Sequence, residues 1–263
     1  MSASTEDVPS SADARRAGRE LLLELVFRPL SNLLVPGLRR LGVPPQAVVL
    51  ANAATGLVAA LVLARGELAG AAVLLQLKTL LDNTDGQLAR AAGRVTLAGR
   101  YLDTIADLVV NAALFAALGY VTGRPLLALA AFVALTLVLA ADFNATELYR
   151  EARGAATVPP AAIGSPAERV LAAIYAVVFA PLDRAFRRFV AHRFQGRGYD
   201  RFTVTVLANL GLTTQLVVLG VCLVMGAPEA YLWFALVCLA ALVALHARAE
   251  RHARQTAPRS VTR

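Results

Sequence analysis

The 263-residue chain is 57% hydrophobic, has 17% charged residues and has a mean hydropathy of +0.59. Because soluble globular proteins average about 25% charged residues, this composition argues against a soluble fold and favours long apolar segments in a bilayer. The net charge is +8, and the arginines lie between the apolar runs. This placement indicates anchoring at a membrane surface, so we predict no nucleic-acid partner.

Six apolar runs approach the length of about 20 residues that a membrane-spanning helix needs. They lie at residues 47–64, 70–90, 97–118, 126–148, 202–225 and 231–246. The sequence therefore predicts an all-α integral membrane protein with six transmembrane helices. Residues 15–248 would form a single membrane domain, between a disordered cytoplasmic tail at 1–14 and a basic cytoplasmic tail at 249–263.

The connections between these runs alternate between arginine-rich and arginine-poor. Nine arginines lie between residues 150 and 201, whereas residues 226–230 contain none. Because arginine-rich loops stay on the cytoplasmic side, both termini and the connection between the second and third helices are predicted to be cytoplasmic. The expected location is the cell membrane, with several crossings.

Two further segments are too short or too basic to span. Residues 28–41 contain two prolines and mix apolar with basic residues, which predicts an interfacial amphipathic helix. Residues 168–194 lie in an insertion at about 150–201 and predict an amphipathic helix on the cytoplasmic surface, with a re-entrant segment as the alternative. Cys222 and Cys238 lie in apolar runs, so we predict neither a disulfide nor a metal site from them.

Four carboxylates lie near the cytoplasmic ends of the second and third predicted helices. A helix turns by about 100° per residue, so Asp82 and Asp85 share one face. Asp103 and Asp107 are four residues apart and share a face with Asn111. A short connection around Gly93 joins the helices, so we expect antiparallel neighbours whose acidic faces meet.

Such a cluster needs positive charge to offset it. A charged residue at the bilayer centre costs roughly 2.5–3.5 kcal/mol on insertion scales, and less near the interface. Lys78 and Arg90 supply part of the compensation. Divalent cations would supply the rest because they prefer carboxylate oxygens, and a pair of such ions suits phosphoryl chemistry.

The full pattern is Asp82-x-x-Asp85-Gly86-x-x-Ala89-Arg90, eight residues, then Gly99-x-x-x-Asp103-x-x-x-Asp107. It resembles the signature of the CDP-alcohol phosphotransferases at all eight positions and every spacing. Many members have Pro-Asn before the first span, where this chain has Pro45-Gln46. The string that begins at Asp82 and ends at Gly86 also resembles the choline and ethanolamine phosphotransferase branch, whose members have more spans.

The resemblance implies roles for these residues. The metal ligands would be Asp82, Asp85, Asp103 and Asp107, holding two Mg²⁺ or Mn²⁺ ions. Asp107 would also be the catalytic base that takes the proton of the acceptor hydroxyl. The nucleotide contacts would be Gly86, Ala89, Arg90 and Gly99. The expected partners are a CDP-linked donor lipid, an alcohol acceptor, membrane lipids and a second copy of the chain in a homodimer.

Other polar residues have two readings. Lys78 lies one turn before Asp82 and either neutralises that carboxylate or contacts a substrate phosphate. Arg94, Arg150 and Arg153 either anchor the protein at the membrane or bind the phosphate of an acceptor. Asn111 and Asn144 either contact the acceptor or make hydrogen bonds between helices.

The leading prediction is an enzyme of phospholipid synthesis. It would transfer phosphatidyl from CDP-diacylglycerol to a polar alcohol such as inositol phosphate, glycerol phosphate or inositol, and release CMP. Transfer from a CDP-choline-type donor to diacylglycerol is the second reading. An intramembrane prenyltransferase and an ion transporter with intramembrane carboxylates are alternatives of other classes.

Overall fold

The computed structural model describes residues 18–154, 165–194 and 199–255, where all regular structure is helical. The predicted N-terminal tail at 1–14 lies outside the described residues, as do 155–164 and 195–198 of the insertion and 256–263 of the C-terminal tail. After a π-helical segment at Leu23–Phe27, the helices are α1 (Arg28–Arg40), α2 (Pro45–Ala64), α3 (Leu68–Ala91), α4 (Leu97–Thr122), α5 (Pro125–Glu151), α6 (Pro166–Val178), α7 (Ala180–Phe194), α8 (Arg201–Ala208), α9 (Leu212–Val224) and α10 (Pro228–Gln255).

Five helical segments of the described chain are long and apolar enough to cross a membrane. They are α2, α4, α5, the segment Arg201–Val224 that contains α8 and α9, and Pro228–His252 within α10. The predicted all-α membrane fold is confirmed to this extent, whereas the predicted count of six is not. Helix α3, which contains the predicted span at 70–90, is not apolar enough because Lys78, Asp82 and Asp85 interrupt its apolar run.

Helix α2 is the element on which the two acidic helices assemble. Both α3 and α4 pack against α2, while α9 packs on α3 and α10 packs on α5. The shared core consists of small and aliphatic side chains, including Ala59, Leu63, Leu75 and Leu118, all fully buried. Small residues permit the close helix approach on which packing in a bilayer depends. Packing of both helices on α2 therefore fixes the distance between α3 and α4.

At Gly56, α2 approaches α3 and α4 closely. A Cβ atom built at Gly56 would overlap Val110 Cγ1 and lie 3.2 Å from Lys78 Cδ. We expect Gly56→Ala to destabilise the protein by about 1–3 kcal/mol, because overpacking forces neighbouring side chains to shift. The measurement is the midpoint of thermal unfolding in detergent. Gly37→Ala on α1, where nothing lies within 4 Å, is the control, and equal midpoints for the two variants would contradict the prediction.

The segment predicted as an interfacial helix is helical, as α1. It continues through Pro36, and its buried Ser31 hydroxyl lies 3.1 Å from the Thr84 hydroxyl of α3. This contact connects α1 to the polar half of α3. The position of α1 at a membrane surface stays a prediction.

The insertion differs from the continuous helix predicted for residues 168–194. It forms two helices, α6 and α7, that meet at Phe179, and Pro181 lies in the first turn of α7, where proline is tolerated. Ser165 and Glu168 form a capping box that fixes the start of α6. Helix α6 packs against α4, and α7 packs against α5 and α10. The insertion therefore packs against α4, the helix that carries Asp103 and Asp107.

Candidate active site

The acidic faces of α3 and α4 meet, as the sequence predicts. The chain reverses direction at Gly93, which has a φ of +64°. The side chain of Thr96 then caps α4 by accepting a hydrogen bond from the Gly99 amide. The two helices each pack against α2 rather than closely against each other. A cavity therefore lies between their polar ends, and Asp85 of α3 and Asp103 of α4 line it.

Three carboxylates form the centre of the candidate site. Asp82, Asp85 and Asp103 each place one oxygen within 4.8 Å of the others. Two buried oxygens, Asp85 Oδ2 and Asp103 Oδ1, have no hydrogen-bond partner among the described residues. Unpaired carboxylate oxygens at this spacing fit a hard divalent cation, which takes oxygen ligands. The arrangement is thus compatible with a metal site.

Asp107 lies one helical turn beyond this group and has a different partner. The fully buried Lys78 donates a hydrogen bond to Asp107 Oδ1 at 2.9 Å and lies 3.7 Å from Asp82 Oδ1. Asn52 of α2 donates to the same Asp82 oxygen at 2.8 Å. The structure therefore favours Lys78 as a neutralising residue that bridges Asp107 and Asp82, and Asp107 is not among the three carboxylates that lie within 4.8 Å of one another.

This wide cavity has a volume of about 770 Å³, and Asp85 and Asp103 of the three carboxylates line it. All four predicted nucleotide contacts line it: Gly86, Ala89, Arg90 and Gly99. A Cβ atom at Gly86 would lie 3.4 Å from the Arg90 guanidinium, so the guanidinium folds over the bare surface of this glycine. An anionic ligand could therefore approach the helix and the guanidinium together.

The predicted acceptor contacts separate into two groups. Arg94 and Arg150 line the wide cavity, and Arg150 also lies 3.8 Å from Glu147. Arg153 does not line it, because its guanidinium stacks 3.5 Å from the centre of the Tyr149 ring. Lys78 is held by carboxylates, as described above. Only the first two therefore remain placed for an anionic ligand.

Three charged residues that line the wide cavity were missed from the sequence: Arg100, Asp142 and Glu147. Asp142 of α5 has a buried Oδ1 without a partner among the described residues, and Arg100 faces Glu147 at 3.9 Å. Asp142 had a usable signal, since a carboxylate next to a long apolar run is a functional candidate by default. Arg100 gave no such signal, because it is equally well explained as one of the basic residues in the connection between the two acidic helices.

A second, narrow cavity of about 190 Å³ is lined in part by Asp107. It lies between α4, α5 and the junction of α6 with α7, and Phe143 borders both cavities. Its lining comprises Thr104, Asp107, Leu108, Asn111, Thr136, Leu139, Ala140, Phe143, Tyr175, Phe179, Leu182 and Asp183. The insertion thus contributes one wall of a cavity that reaches a predicted catalytic carboxylate.

A hydrogen-bond network holds this wall against α5. Asp183 accepts from Asn144 Nδ2 at 2.8 Å and from the Tyr175 hydroxyl at 2.7 Å, so Asn144 makes a bond between helices. Tyr175 also stacks on Tyr101 of α4, with ring centres 4.4 Å apart. Burial, together with the bond to Asp183, raises the pKa of Tyr175, so its hydroxyl stays a neutral donor.

Comparisons with known proteins identify the family of this chain. A phosphatidylinositol phosphate synthase of Mycobacteroides abscessus is 36% identical over 99 residues, which cover 37% of this chain and 45% of that protein. The match thus spans less than half of that relative. The sequence model of the CDP-alcohol phosphatidyltransferase family matches residues 43–194, more than half of this chain, and includes all eight motif positions. The chain therefore belongs to the CDP-alcohol phosphatidyltransferase family.

Proposed function

We propose that this protein is a membrane-embedded transferase that moves a substituted phosphate from a CDP-linked donor to an alcohol and releases CMP. The observation that carries this proposal is the meeting of Asp82, Asp85 and Asp103 beside a wide cavity lined by arginines. Membership in the family supports it. The same membership argues against the intramembrane prenyltransferase and the ion transporter.

The metal would be held by Asp82, Asp85 and Asp103, and Asp107 would complete the site. Bound Mg²⁺ or Mn²⁺, two ions per site, would neutralise the phosphate oxygens and favour departure of CMP. The unpaired oxygens of Asp85 and Asp103 support this assignment, because a buried carboxylate oxygen without a partner is costly.

Residues of the chain would bind the nucleotide and transfer the proton. Gly86, Ala89 and Gly99 leave room for the cytidine diphosphate part, and Arg90 pairs with its phosphates. Asp107 takes the proton from the acceptor hydroxyl while that oxygen bonds to the phosphorus of the transferred group. The bond from this phosphorus to the bridging oxygen breaks, and CMP leaves with that oxygen. Lys78 holds the Asp107 carboxylate in place through the 2.9 Å hydrogen bond.

CDP-diacylglycerol is the first donor to consider. The partial match to a phosphatidylinositol phosphate synthase supports a phosphatidyl donor, and Arg94 and Arg150 offer charges for a phosphorylated acceptor. Transfer from a CDP-choline-type donor to diacylglycerol is the second candidate. It is favoured by one specific observation, which is the mostly apolar lining of the narrow cavity beside Asp107.

We also propose that the protein crosses the membrane six times. Helix α3 has 24 residues, enough to cross a bilayer, and its charged half would lie at the cytoplasmic end as a sixth span. Both termini and the active site would then be cytoplasmic in the cell membrane, as the arginine alternation indicates. Residues 15–248 would form one domain, α1 would lie at the interface, and the protein would be a homodimer.

The test is release of CMP by purified protein in detergent micelles with Mg²⁺. The panel combines CDP-diacylglycerol or CDP-choline with inositol phosphate, glycerol phosphate, inositol and diacylglycerol. We expect release with at least one pair, and loss of release to background when a chelator removes the metal. Restoration by Mg²⁺ or Mn²⁺ but not by Na⁺ is the control. Chelator-resistant release would contradict the metal assignment, and no release with any pair would contradict the proposed activity.

A further inference from the structure

Lys78 lies between two of the four motif carboxylates. Its Nζ atom is 2.9 Å from Asp107 Oδ1 of α4 and 3.7 Å from Asp82 Oδ1, one turn further along α3. Asn52 of α2 donates a hydrogen bond to the same Asp82 oxygen at 2.8 Å. One oxygen of each carboxylate is therefore already paired with donors of the chain, and the ammonium supplies the positive charge that offsets the repulsion between Asp82 and Asp107.

The packing around Lys78 holds the ammonium in this place. The side chain has no exposed surface, and its Cδ atom lies 3.2 Å from the position of a Cβ atom built at Gly56 of α2. The bare surface of Gly56 thus makes room for the lysine stem. Because side chains in a close-packed interior have few alternative rotamers, the ammonium cannot withdraw from the carboxylates unless α2 and α3 repack.

The motif carboxylate oxygens that lack a partner belong to the other two residues. Asp85 Oδ2 and Asp103 Oδ1 are buried and have no hydrogen bond among the described residues, and Asp85 is only 7% exposed. Both residues belong to the group in which Asp82 also places an oxygen within 4.8 Å. Buried polar atoms are nearly always paired, so this group indicates a bound cation. Mg²⁺ needs only one or two carboxylates because it keeps several waters.

A second divalent ion would meet the ammonium. The ions of two-metal sites lie about 3.5–4 Å apart, and Asp107 is the motif carboxylate that remains as a ligand for a neighbour of the first ion. That carboxylate already binds Lys78, and a divalent ion on it would repel the ammonium. An ammonium is a compact charge with three donors, so it can fill the position between two carboxylates that the second ion would take.

We propose that this chain binds one divalent ion, through Asp82, Asp85 and Asp103, and that the Lys78 ammonium takes the place of a second ion between Asp82 and Asp107. The inference rests on the proposed function and reduces the two ions given there to one ion and one ammonium. Lys78 is then a positioning residue, which holds the Asp107 carboxylate with a cation that no chelator removes.

The number of bound ions tests this inference directly. The full-length protein in detergent micelles is dialysed against Mn²⁺, with and without CMP. The bound metal is then counted per chain and examined by electron paramagnetic resonance. We expect one Mn²⁺ per chain with the hyperfine spectrum of an isolated ion. Two ions per chain with an exchange-coupled spectrum would overturn the inference, and the proposed function would still stand if CMP release depends on Mg²⁺.

Removal of the ammonium should admit the second ion. At saturating Mn²⁺, we expect Lys78→Met to bind two ions per chain and to show the coupled spectrum, because Asp107 then becomes free as a ligand. A role of Lys78 in stability alone would change the unfolding temperature but not the ion count. Glu229→Gln, which removes a partly exposed carboxylate of α10, is the control and should bind one ion. One uncoupled ion in folded Lys78→Met would overturn the inference.

Two variants that keep the lysine test the assignment even where Lys78→Met does not fold. Asp103→Asn should weaken Mn²⁺ binding at least roughly tenfold, since even outer-shell partners of a metal are worth about 10–100-fold in affinity. Asp107→Asn, one helical turn away, should still bind one ion per chain, and a loss as large as that in Asp103→Asn would overturn the inference. Absence of bound Mn²⁺ from the wild type, together with no CMP release from any donor, would show that both the proposed function and the ion count are wrong.

Discussion

Replacement of Asp107 by asparagine is expected to slow CMP release by roughly 10²–10⁴-fold, the usual contribution of a general base. The asparagine keeps the shape and one oxygen, so Lys78 retains a hydrogen-bond acceptor at the position it now contacts. The amide cannot take the proton of the acceptor hydroxyl. The measurement is kcat for CMP release with the best donor and acceptor from the panel.

The same variant separates two roles that the motif assigns to Asp107. The structure groups Asp82, Asp85 and Asp103 within 4.8 Å and leaves Asp107 with Lys78. If Asp107 acts chiefly as base, Asp107→Asn should bind CMP with Mg²⁺ like the wild type although its kcat collapses. Asp103→Asn, the matched variant within the group, should weaken metal-dependent CMP binding as well. A full rate in Asp107→Asn would show that another group takes the proton.

Local helix geometry explains why the acidic residues could be placed from the sequence. Spacings of three and four residues put Asp82 with Asp85, and Asp103 with Asp107, on shared faces whatever the rest of the chain does. The short turn at Gly93 then limits how the two faces can be arranged. That Asp107 would stand apart from the other three could not be read from these spacings, because it depends on Lys78 reaching across from α3.

The insertion shows what the sequence could not supply. Its amphipathic pattern predicted helix correctly, but the break at Phe179 and the packing on α4 and α5 depend on contacts between distant segments. Tyr175 meets Tyr101, and Asp183 meets Asn144, across separations of 74 and 39 residues. Arg153 illustrates the same limit, since its charge is compatible with membrane anchoring or a phosphate contact, and only the structure shows that it stacks on Tyr149 and does not line the cavity.

The single lysine of the chain is expected to be essential for the fold. Lys78 has no exposed side-chain surface and lies between Asp107 and Asp82. Removal of one partner from a buried ion pair typically costs about 3–5 kcal/mol, because it leaves an uncompensated charge. We therefore expect Lys78→Met, which keeps the length of the side chain, to unfold at a much lower temperature than the wild type. The measurement is thermal unfolding in detergent without divalent metal.

A double variant tests whether the cost comes from the charges. If the ion pair explains the loss, adding Asp107→Asn to Lys78→Met should recover part of the stability, since fewer carboxylates then face each other without a cation. Excess Mg²⁺ should raise the unfolding temperature of Lys78→Met more than that of the wild type, because the ion would replace the missing charge near Asp82. Glu229→Gln, which removes a partly exposed ion pair with Arg124, should change stability by less than about 1 kcal/mol. An unfolding temperature for Lys78→Met equal to that of the wild type would show that this lysine does not offset the carboxylate repulsion.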